Sequence, residues 1–181
     1  MLFWSNVDNS KKVVLLKKQL EMKNKKIEIQ YIEANSLEEL TGNDAFLVAK
    51  AREATNNAWA PYSGFQVGAA VLLDNGEVVI GNNQENAAYP SGLCAERVAL
   101  FAANAAYPES AVEAIAISAR NKNGLVREAV KPCGSCRQAI LETENRFEQP
   151  IRLILDGADN INIVEGISQL LPLSFGRNDL E

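Results

Sequence analysis

Residues 132–136 read Pro-Cys-Gly-Ser-Cys, and they place two cysteines three positions apart where the pattern predicts the start of a helix. At this spacing both sulfurs lie on one face of the first helical turn, within reach of a single ion. Alone, the spacing is about as typical of redox chemistry, or of no chemistry, as it is of zinc. The stretch therefore predicts a helix with a candidate metal site at its N-terminus.

A third cysteine, Cys94, lies at the start of the preceding predicted helix. Together with Cys133 and Cys136 it would supply three thiolates, which leave the fourth tetrahedral position of zinc open for water. The chain has neither a fourth cysteine nor any histidine to close that position, as a structural zinc site would require. We therefore predict a catalytic zinc ion on these cysteines, over the alternative that they are small buried apolar residues.

Glu96 and Arg97 follow Cys94 closely enough to act at the same site. In the first turn of a helix, side chains two positions apart can both reach a site beyond the helix end. This favours Glu96 as a proton carrier over a solvated acid stabilised by the helix dipole. Zinc with three thiolates carries a charge of −1, so we expect compensation from the helix N-termini and from Arg97, which could otherwise be a surface arginine.

The predicted elements alternate between helices and strands. Apolar spacing predicts a helix from Asn43 or Asp44 to before Pro61, another from Cys94 and a third from Pro132. The buried stripe of the first is Leu47, Ala51, Ala54 and Ala58; the second has Val98, Phe101, Ala102 and Ala105 on one face; the third has Cys136, Ile140, Thr143 and Phe147 on one side. Strands are predicted at 66–73, 77–80, 114–119, 151–155 and 161–164. This order indicates a layered α/β domain with a mixed sheet.

Composition narrows the class of protein. The 181 residues suit one domain, and 47% hydrophobic with 23% charged residues is typical of a soluble globular protein. The net charge of −5 disfavours a nucleic-acid partner, and no apolar run is long enough to predict a membrane partner. Without histidine, serine–histidine and cysteine–histidine triads are excluded. No secretory pattern is present, so we expect a cytoplasmic protein with a small-molecule substrate.

Residues 1–42 differ from the rest of the chain. Seven lysines face one acid, Glu21, between positions 11 and 26. We predict a lysine-rich extension, partly disordered, with a strand at 26–32, and a domain at 43–181. Translation could begin at Met1 or at Met22.

Five segments carry a resemblance that spans about residues 44–180. They are 60–70 (APYSGFQVGAA), 83–89 (NQENAAY), 94–97 (CAER), 132–138 (PCGSCRQ) and, more weakly, 170–175 (LLPLSF). In this order they resemble the zinc-dependent cytidine deaminases of the short homotetrameric type. The resemblance implies a three-layer α/β/α domain with a mixed central sheet of about five strands. It also implies hydrolysis of cytidine and deoxycytidine to uridine and deoxyuridine plus ammonia, in pyrimidine salvage.

The resemblance also implies roles for single residues. Zinc, one per subunit, activates a water molecule, and Glu96 carries protons to the ring and to the leaving amino group. Asn83 and Glu85 match a pair that binds the ribose hydroxyls, and Phe65 matches an aromatic residue that packs on the pyrimidine. Ala87 and Tyr89 match residues that line the sugar site from an adjoining subunit, and Phe175 one that closes over the base from another subunit. The implied homotetramer would share its active sites.

Two departures and two alternatives accompany this resemblance. Trp59 stands where tyrosine is common, and Leu173 replaces a frequent glycine close to Phe175. The alternatives are a deaminase of a modified cytosine nucleoside, such as an aminoacyl-nucleoside antibiotic, and a non-catalytic, zinc-stabilised binding protein. Polynucleotide and nucleotide deaminases are disfavoured by the acidic balance. The sequence does not rank cytidine against deoxycytidine.

Overall fold

The fold is one mixed sheet with helices on both faces, and the computed structural model describes residues 23–180. Three helices lie in this part of the chain, α1 at Asp44–Ala54, α2 at Ala95–Ala106 and α3 at Gly134–Phe147. Its seven strands are β1 Ile32–Ala34, β2 Gln66–Leu73, β3 Val78–Asn82, β4 Val112–Asn121, β5 Gly124–Leu125, β6 Arg152–Asp156 and β7 Ile161–Glu165.

The strands follow the order β1-β7-β6-β4-β2-β3, with β5 paired to β4. The pair β4–β6 is parallel and the other pairs are antiparallel, so the predicted mixed sheet is confirmed. A parallel pair needs a crossover connection, and α3 lies in it. The expected number of about five strands is too low, because β1 and β5 have three and two residues and are too short to show an alternating pattern.

Successive residues of β2 point to opposite faces of the sheet, and the two faces have different helical covers. Ala70 and Leu72 pack with Leu47 and Ala51 of α1. Ala69 and Val71 belong to the other core, which contains apolar side chains of α2 and α3 such as Leu100 and Ile140. The three-layer α/β/α arrangement predicted from the resemblance is therefore confirmed.

Two glycines let helices approach the sheet closely. A Cβ atom at Gly81 of β3 would lie 2.4 Å from the backbone nitrogen of Ala99, and one at Gly68 of β2 would lie 2.1 Å from the carbonyl oxygen of Ala51. Real Cβ atoms do not approach other atoms this closely. Gly81 thus sets the depth at which α2, with Cys94 and Glu96 at its start, packs on the sheet.

The N-terminal strand differs from the prediction. The ladder runs from Ile32↔Ile163 to Ala34↔Ile161, and residues 23–31 form no strand. The alternation at 26–31 has no buried face, since every side chain there is exposed. The sheet includes β1, which lies N-terminal to the predicted boundary between the extension at 1–42 and the domain at 43–181. That domain boundary stays a prediction. The alternative start sites and the lysines before residue 23 lie outside the described residues.

The helix ends and one helix face also differ from the prediction. Helix α1 ends at Ala54 and is followed by a 3-10 turn at Thr55–Asn57, so Ala58 lies beyond it. Asn43 makes no side-chain cap bond, and the Asp44 carboxylate instead accepts hydrogen bonds from Arg152.

In α2 the buried residues are Ala95, Glu96, Ala99, Leu100 and Ala103, whereas Phe101 on the predicted face is 49% exposed. Alanines on every side of this helix leave its apolar periodicity ambiguous. In α3 the first helical residue is Gly134, so Pro132 lies outside the first turn. Among the described residues no helix is long and apolar enough to cross a membrane.

Candidate active site

The starts of α2 and α3 meet at one end of the sheet, and a cysteine directly precedes each helix. Cys94 is the N-cap residue of α2, and Cys133 is the N-cap residue of α3, with Cys136 in the first turn. Neither cap side chain binds its own helix. The unpaired N–H groups and the positive end of each helix dipole therefore favour negative charge on these sulfurs.

The three sulfurs form a cluster with the dimensions of a zinc site. The Sγ atoms of Cys94 and Cys133 are 3.7 Å apart, those of Cys133 and Cys136 are 3.5 Å apart, and all three lie within 4.8 Å of one another. Tetrahedral zinc with Zn–S bonds of about 2.3 Å would separate its sulfurs by roughly 3.8 Å. The donor set, soft thiolates only, suits zinc rather than a hard cation. The sequence prediction that these cysteines converge is confirmed.

Arg97 lies beside this cluster and has an unused donor. Its Nη2 is 4.0 Å from the Cys94 sulfur, at the limit of a hydrogen bond to sulfur. Its Nε is buried and has no hydrogen-bond partner among the described residues. An orphaned cationic donor next to three sulfurs fits a site that carries negative charge when thiolates hold a metal ion.

A hydrogen bond between two thiols of this cluster shifts the pKa of each in opposite directions. The pKa of Cys94 is lowered to about 5, first because the Cys136 thiol donates a hydrogen bond to it and then because Arg97 lies beside it. The pKa of Cys136 is raised, first because the same bond retains its proton and then because the thiol is buried. A metal ion must displace this proton, since cysteine binds metals as the thiolate.

Glu96 is a buried carboxyl group one residue into α2, and it is 4% exposed. Burial is the main reason that the pKa of Glu96 is raised above its ordinary value, and the negative charge of Cys94 adds to the effect. Its carboxyl group retains a proton to higher pH than a solvated glutamate does. A carboxyl group that exchanges its proton nearer to neutral pH is suited to general acid–base chemistry.

A cavity of about 490 Å³ opens onto this cluster, within the range of roughly 300–1,000 Å³ that small-molecule sites occupy. Its lining includes most of the predicted site residues, namely Phe65, Asn83, Glu85, Tyr89, Cys94, Glu96, Arg97 and Cys133. Cys136 does not line the cavity; it is fully buried, with its sulfur 3.5 Å from that of Cys133. The structure therefore brings residues from four separate sequence segments into one cavity.

Asn83 has both ends of its amide engaged by the protein. Its Oδ1 accepts a hydrogen bond of 2.8 Å from the backbone N–H of Val67, and its Nδ2 donates one of 2.9 Å to the carbonyl oxygen of Phe65. The side chain is 9% exposed. Asn83 thus holds the start of β2 in place.

Glu85 is more accessible, and it accepts hydrogen bonds from the loop before β2. Its Oε2 accepts from the backbone N–H groups of Tyr62 and Ser63, at 2.9 and 3.2 Å, and its Oε1 accepts from the Ser63 hydroxyl. These bonds lower the pKa of Glu85, and the bond from the Ser63 hydroxyl contributes most to this shift. Glu85 is therefore an ionised carboxylate at the mouth of the cavity.

Besides the buried Cys136, two predicted site residues do not line this cavity, Ala87 and Phe175. Phe175 is 61% exposed, and its carbonyl oxygen accepts a hydrogen bond from Gln138 of α3. Leu173, close to it, adopts a left-handed φ of 56° and is almost fully exposed. Tyr89 lines the cavity but is 77% exposed, with its ring edge-on to Tyr62.

Two larger clefts lack this chemistry. One of about 820 Å³ lies between α2 and α3, and one of about 710 Å³ lies between α3 and the segment 174–179. Neither is lined by a cysteine. Volume therefore does not identify the site, whereas the convergence of sulfurs, a buried carboxyl group and an arginine does.

The sequence predicted no role for Ser63 or Lys131, which both line the cavity. Ser63 lies inside the matched segment 60–70, but a serine in a turn has no distinctive pattern. Its importance depends on Glu85, 22 positions away. Lys131 precedes the Pro-Cys pair directly, and only its position next to that pair could have indicated it.

Comparisons with known proteins agree with this geometry. Residues 41–147 match the family described as the cytidine and deoxycytidylate deaminase zinc-binding region. A protein named cytidine deaminase from Halalkalibacterium halodurans is 46% identical over 136 residues, which cover 74% of this chain and 95% of that protein. Another of that name, from Mycobacterium tuberculosis, is 35% identical over 137 residues, covering 74% of this chain and 90% of that protein.

Solved structures give the same result. The crystal structure of a cytidine deaminase from Burkholderia pseudomallei superposes with a TM-score of 0.61 at 36% identity, covering 72% of this chain and 97% of that one. A cytidine deaminase structure from Mycobacterium leprae superposes with a TM-score of 0.57 at 30% identity, covering 73% of this chain and 99% of that one.

Proposed function

Since this chain belongs to the cytidine and deoxycytidylate deaminase zinc-binding family, we propose that it hydrolyses cytidine and deoxycytidine to uridine and deoxyuridine plus ammonia. The observation that carries the proposal is a buried glutamate next to three sulfurs at the end of a nucleoside-sized cavity. An enzyme of this kind is a zinc-dependent hydrolase.

Cys94, Cys133 and Cys136 hold the zinc ion in this proposal. Zinc, when bound, lowers the pKa of a water molecule towards about 7 and so supplies a nucleophile at neutral pH. The two helix N-termini and Arg97 offset the negative charge of the three thiolates. Arg97 does so by directing its guanidinium group at the Cys94 sulfur.

Glu96 moves the protons. It takes one from the attacking water and delivers it to N3 of the pyrimidine, which makes C4 more electrophilic. The oxygen of that water bonds to C4. Glu96 then moves the remaining proton of this oxygen to the amino group, the C4–N bond breaks, and ammonia leaves as C4 becomes a carbonyl. A carboxyl group with a raised pKa can act as base and then as acid, which explains how the reaction proceeds in a chain without histidine.

Residues at the mouth of the cavity bind the substrate in this proposal. Glu85 accepts hydrogen bonds from sugar hydroxyls, and Phe65 packs on the pyrimidine ring. Asn83 shapes the sugar site with Glu85, in part through its hold on Phe65 and Val67. Tyr89, Ala87 and Phe175 belong to sites shared between subunits, with Phe175 closing over the base of another subunit.

We also propose a homotetramer in the cytoplasm. The isolated chain leaves Phe101, Tyr89, Leu173 and Phe175 exposed, and these side chains would be buried between subunits. Three reduced cysteines are needed to bind zinc, and a reducing compartment keeps them so.

The test combines metal analysis with an ultraviolet assay on cytidine and deoxycytidine. The purified protein should carry one zinc per chain and should convert both substrates. Glu96→Gln should keep its zinc and lose about two to four orders of magnitude in kcat, the usual contribution of a general acid–base group. A rate for Glu96→Gln within tenfold of the parent would contradict the mechanism, and a protein inactive on both nucleosides would contradict the function.

A further inference from the structure

The loop at 62–65 and the Glu85 carboxylate form a closed set of hydrogen bonds at the mouth of the cavity. Ser63 is the centre of this set. Its hydroxyl donates to Glu85 Oε1 and accepts, at 3.0 Å, from the backbone N–H of Phe65. One hydroxyl therefore links the carboxylate proposed to bind the sugar with the residue proposed to pack on the base.

The hydrogen bonds that Glu85 accepts from the protein leave it few acceptor positions for a ligand. A carboxylate offers about four acceptor positions, two on each oxygen. Both positions on Oε2 are used by the N–H groups of Tyr62 and Ser63. The Ser63 hydroxyl uses one position on Oε1. The remaining position is on Oε1, so the direction in which Glu85 offers it is set by the Ser63 hydroxyl.

We propose that Ser63 is a positioning residue that orients Glu85 towards the sugar hydroxyls, and thereby sets the affinity for the sugar rather than the rate of deamination. The inference rests on the proposed function, because it needs a nucleoside in the cavity. Ser63 and Glu85 both line that cavity together with Cys94 and Glu96.

The loop keeps other supports when the hydroxyl is removed. The Gly64 N–H donates to the carbonyl oxygen of Ala60 at 3.0 Å, and the Asn83 amide holds Phe65 and Val67. The backbone N–H groups of Tyr62 and Ser63 still reach Oε2. Ser63→Ala should therefore fold with an unchanged melting temperature and lose only the link between Oε1 and Phe65.

The experiment compares the parent with Ser63→Ala on cytidine and on 2′,3′-dideoxycytidine, which lacks the hydroxyls that Glu85 would bind. For cytidine we expect KM to rise about tenfold in Ser63→Ala with kcat within twofold, the scale of one hydrogen bond to a charged group. For the dideoxy substrate we expect the two proteins to have the same KM within twofold. Ser63→Thr keeps the hydroxyl at an exposed position and should restore the parent KM.

A double-mutant cycle with Glu85→Gln tests whether Ser63 acts through Glu85. We expect Ser63→Ala to raise KM less than twofold in the Glu85→Gln background. An equal rise in KM for both substrates, an additive effect in the cycle or an unchanged KM for cytidine would each overturn the inference. If the parent protein deaminates no cytosine nucleoside, the proposed function fails instead, and this inference fails with it.

Discussion

At the scale of the residue, the chemistry of this site depends on charge balance. Three thiolates and Glu96 place up to four negative charges around one zinc ion, and Arg97 is the basic residue whose Nη2 contacts the Cys94 sulfur. Its Nε has no partner among the residues that the structure describes. A buried donor without a partner is costly in free energy, and a negatively charged metal site beside Arg97 would offset that cost.

Arg97→Ala should keep the fold and weaken the site. Since groups that contact metal ligands typically contribute about 10–100-fold in metal affinity or activity, we expect zinc occupancy or kcat/KM to fall by that amount. Metal analysis measures the zinc occupancy, circular dichroism shows whether the fold is kept, and the cytidine assay measures kcat/KM. Arg97→Lys is the matched control, because it keeps the charge without the planar guanidinium. Full zinc with parental turnover in Arg97→Ala would refute this role.

At the scale of the element, one carboxylate ties α3 to the far end of the sheet. Oε1 of Glu144 accepts hydrogen bonds of 2.8 Å from the backbone N–H groups of both Ile151 and Ile167. These residues lie just before β6 and just after β7, and both are buried. Burial is the main reason that the pKa of Glu144 is raised from its ordinary 4.5, although the two N–H groups oppose the shift.

We expect two substitutions of Glu144 to have opposite effects on the free energy of unfolding. Glu144→Ala leaves two buried N–H groups unpaired and should lower the free energy of unfolding by about 1–3 kcal/mol. Glu144→Gln keeps Oε1 and removes the charge. Because the folded pKa of Glu144 is raised, the parent loses stability as pH rises from 4.5 through the folded pKa, and Glu144→Gln does not.

Chemical denaturation of the three proteins at pH 5 and pH 8 measures these differences. The free energy of unfolding of Glu144→Gln should exceed that of the parent by more at pH 8 than at pH 5. A smaller excess at pH 8 than at pH 5 would show that the two N–H groups, rather than burial, determine the direction in which the pKa of Glu144 is shifted.

At the scale of the whole molecule, the single chain contains the metal cluster but leaves the proposed substrate site open. Phe175 does not line the cavity of its own chain, and Tyr89 at the rim is largely exposed. Closed oligomers with point-group symmetry can complete such a site with residues of a neighbouring subunit.

We expect a mass of four times the 19.8 kDa chain in light scattering at assay concentrations.

We also expect complementation between Glu96→Gln and Phe175→Ala, which are each impaired alone. In randomly mixed oligomers roughly a quarter of the sites would combine an intact Glu96 with an intact Phe175 from another subunit, so co-expression should restore about a quarter of the parental activity. Activity no higher than half that of Phe175→Ala would show that the sites are not shared in this way.

Local patterns predicted the chemistry and the layers of this protein. Cysteine spacing and the position of Glu96 at a helix start are properties of a few neighbouring residues, so Cys94, Cys133 and Cys136 could be assigned to one ion. The order of helices and strands likewise predicted the mixed sheet, because the apolar runs of β2, β4, β6 and β7 are long enough to indicate strands.

Tertiary structure alone decided what depends on contacts between distant residues. β1 is defined by its partner β7, 127 or more positions away, and the buried face of the alanine-rich α2 by the sheet on which it packs. Ser63 and Asn83 acquire their roles from partners 16 to 22 positions away, through hydrogen bonds that no local period encodes. Spacing along the chain can reveal which groups share a helical turn, but only folding determines which groups they face.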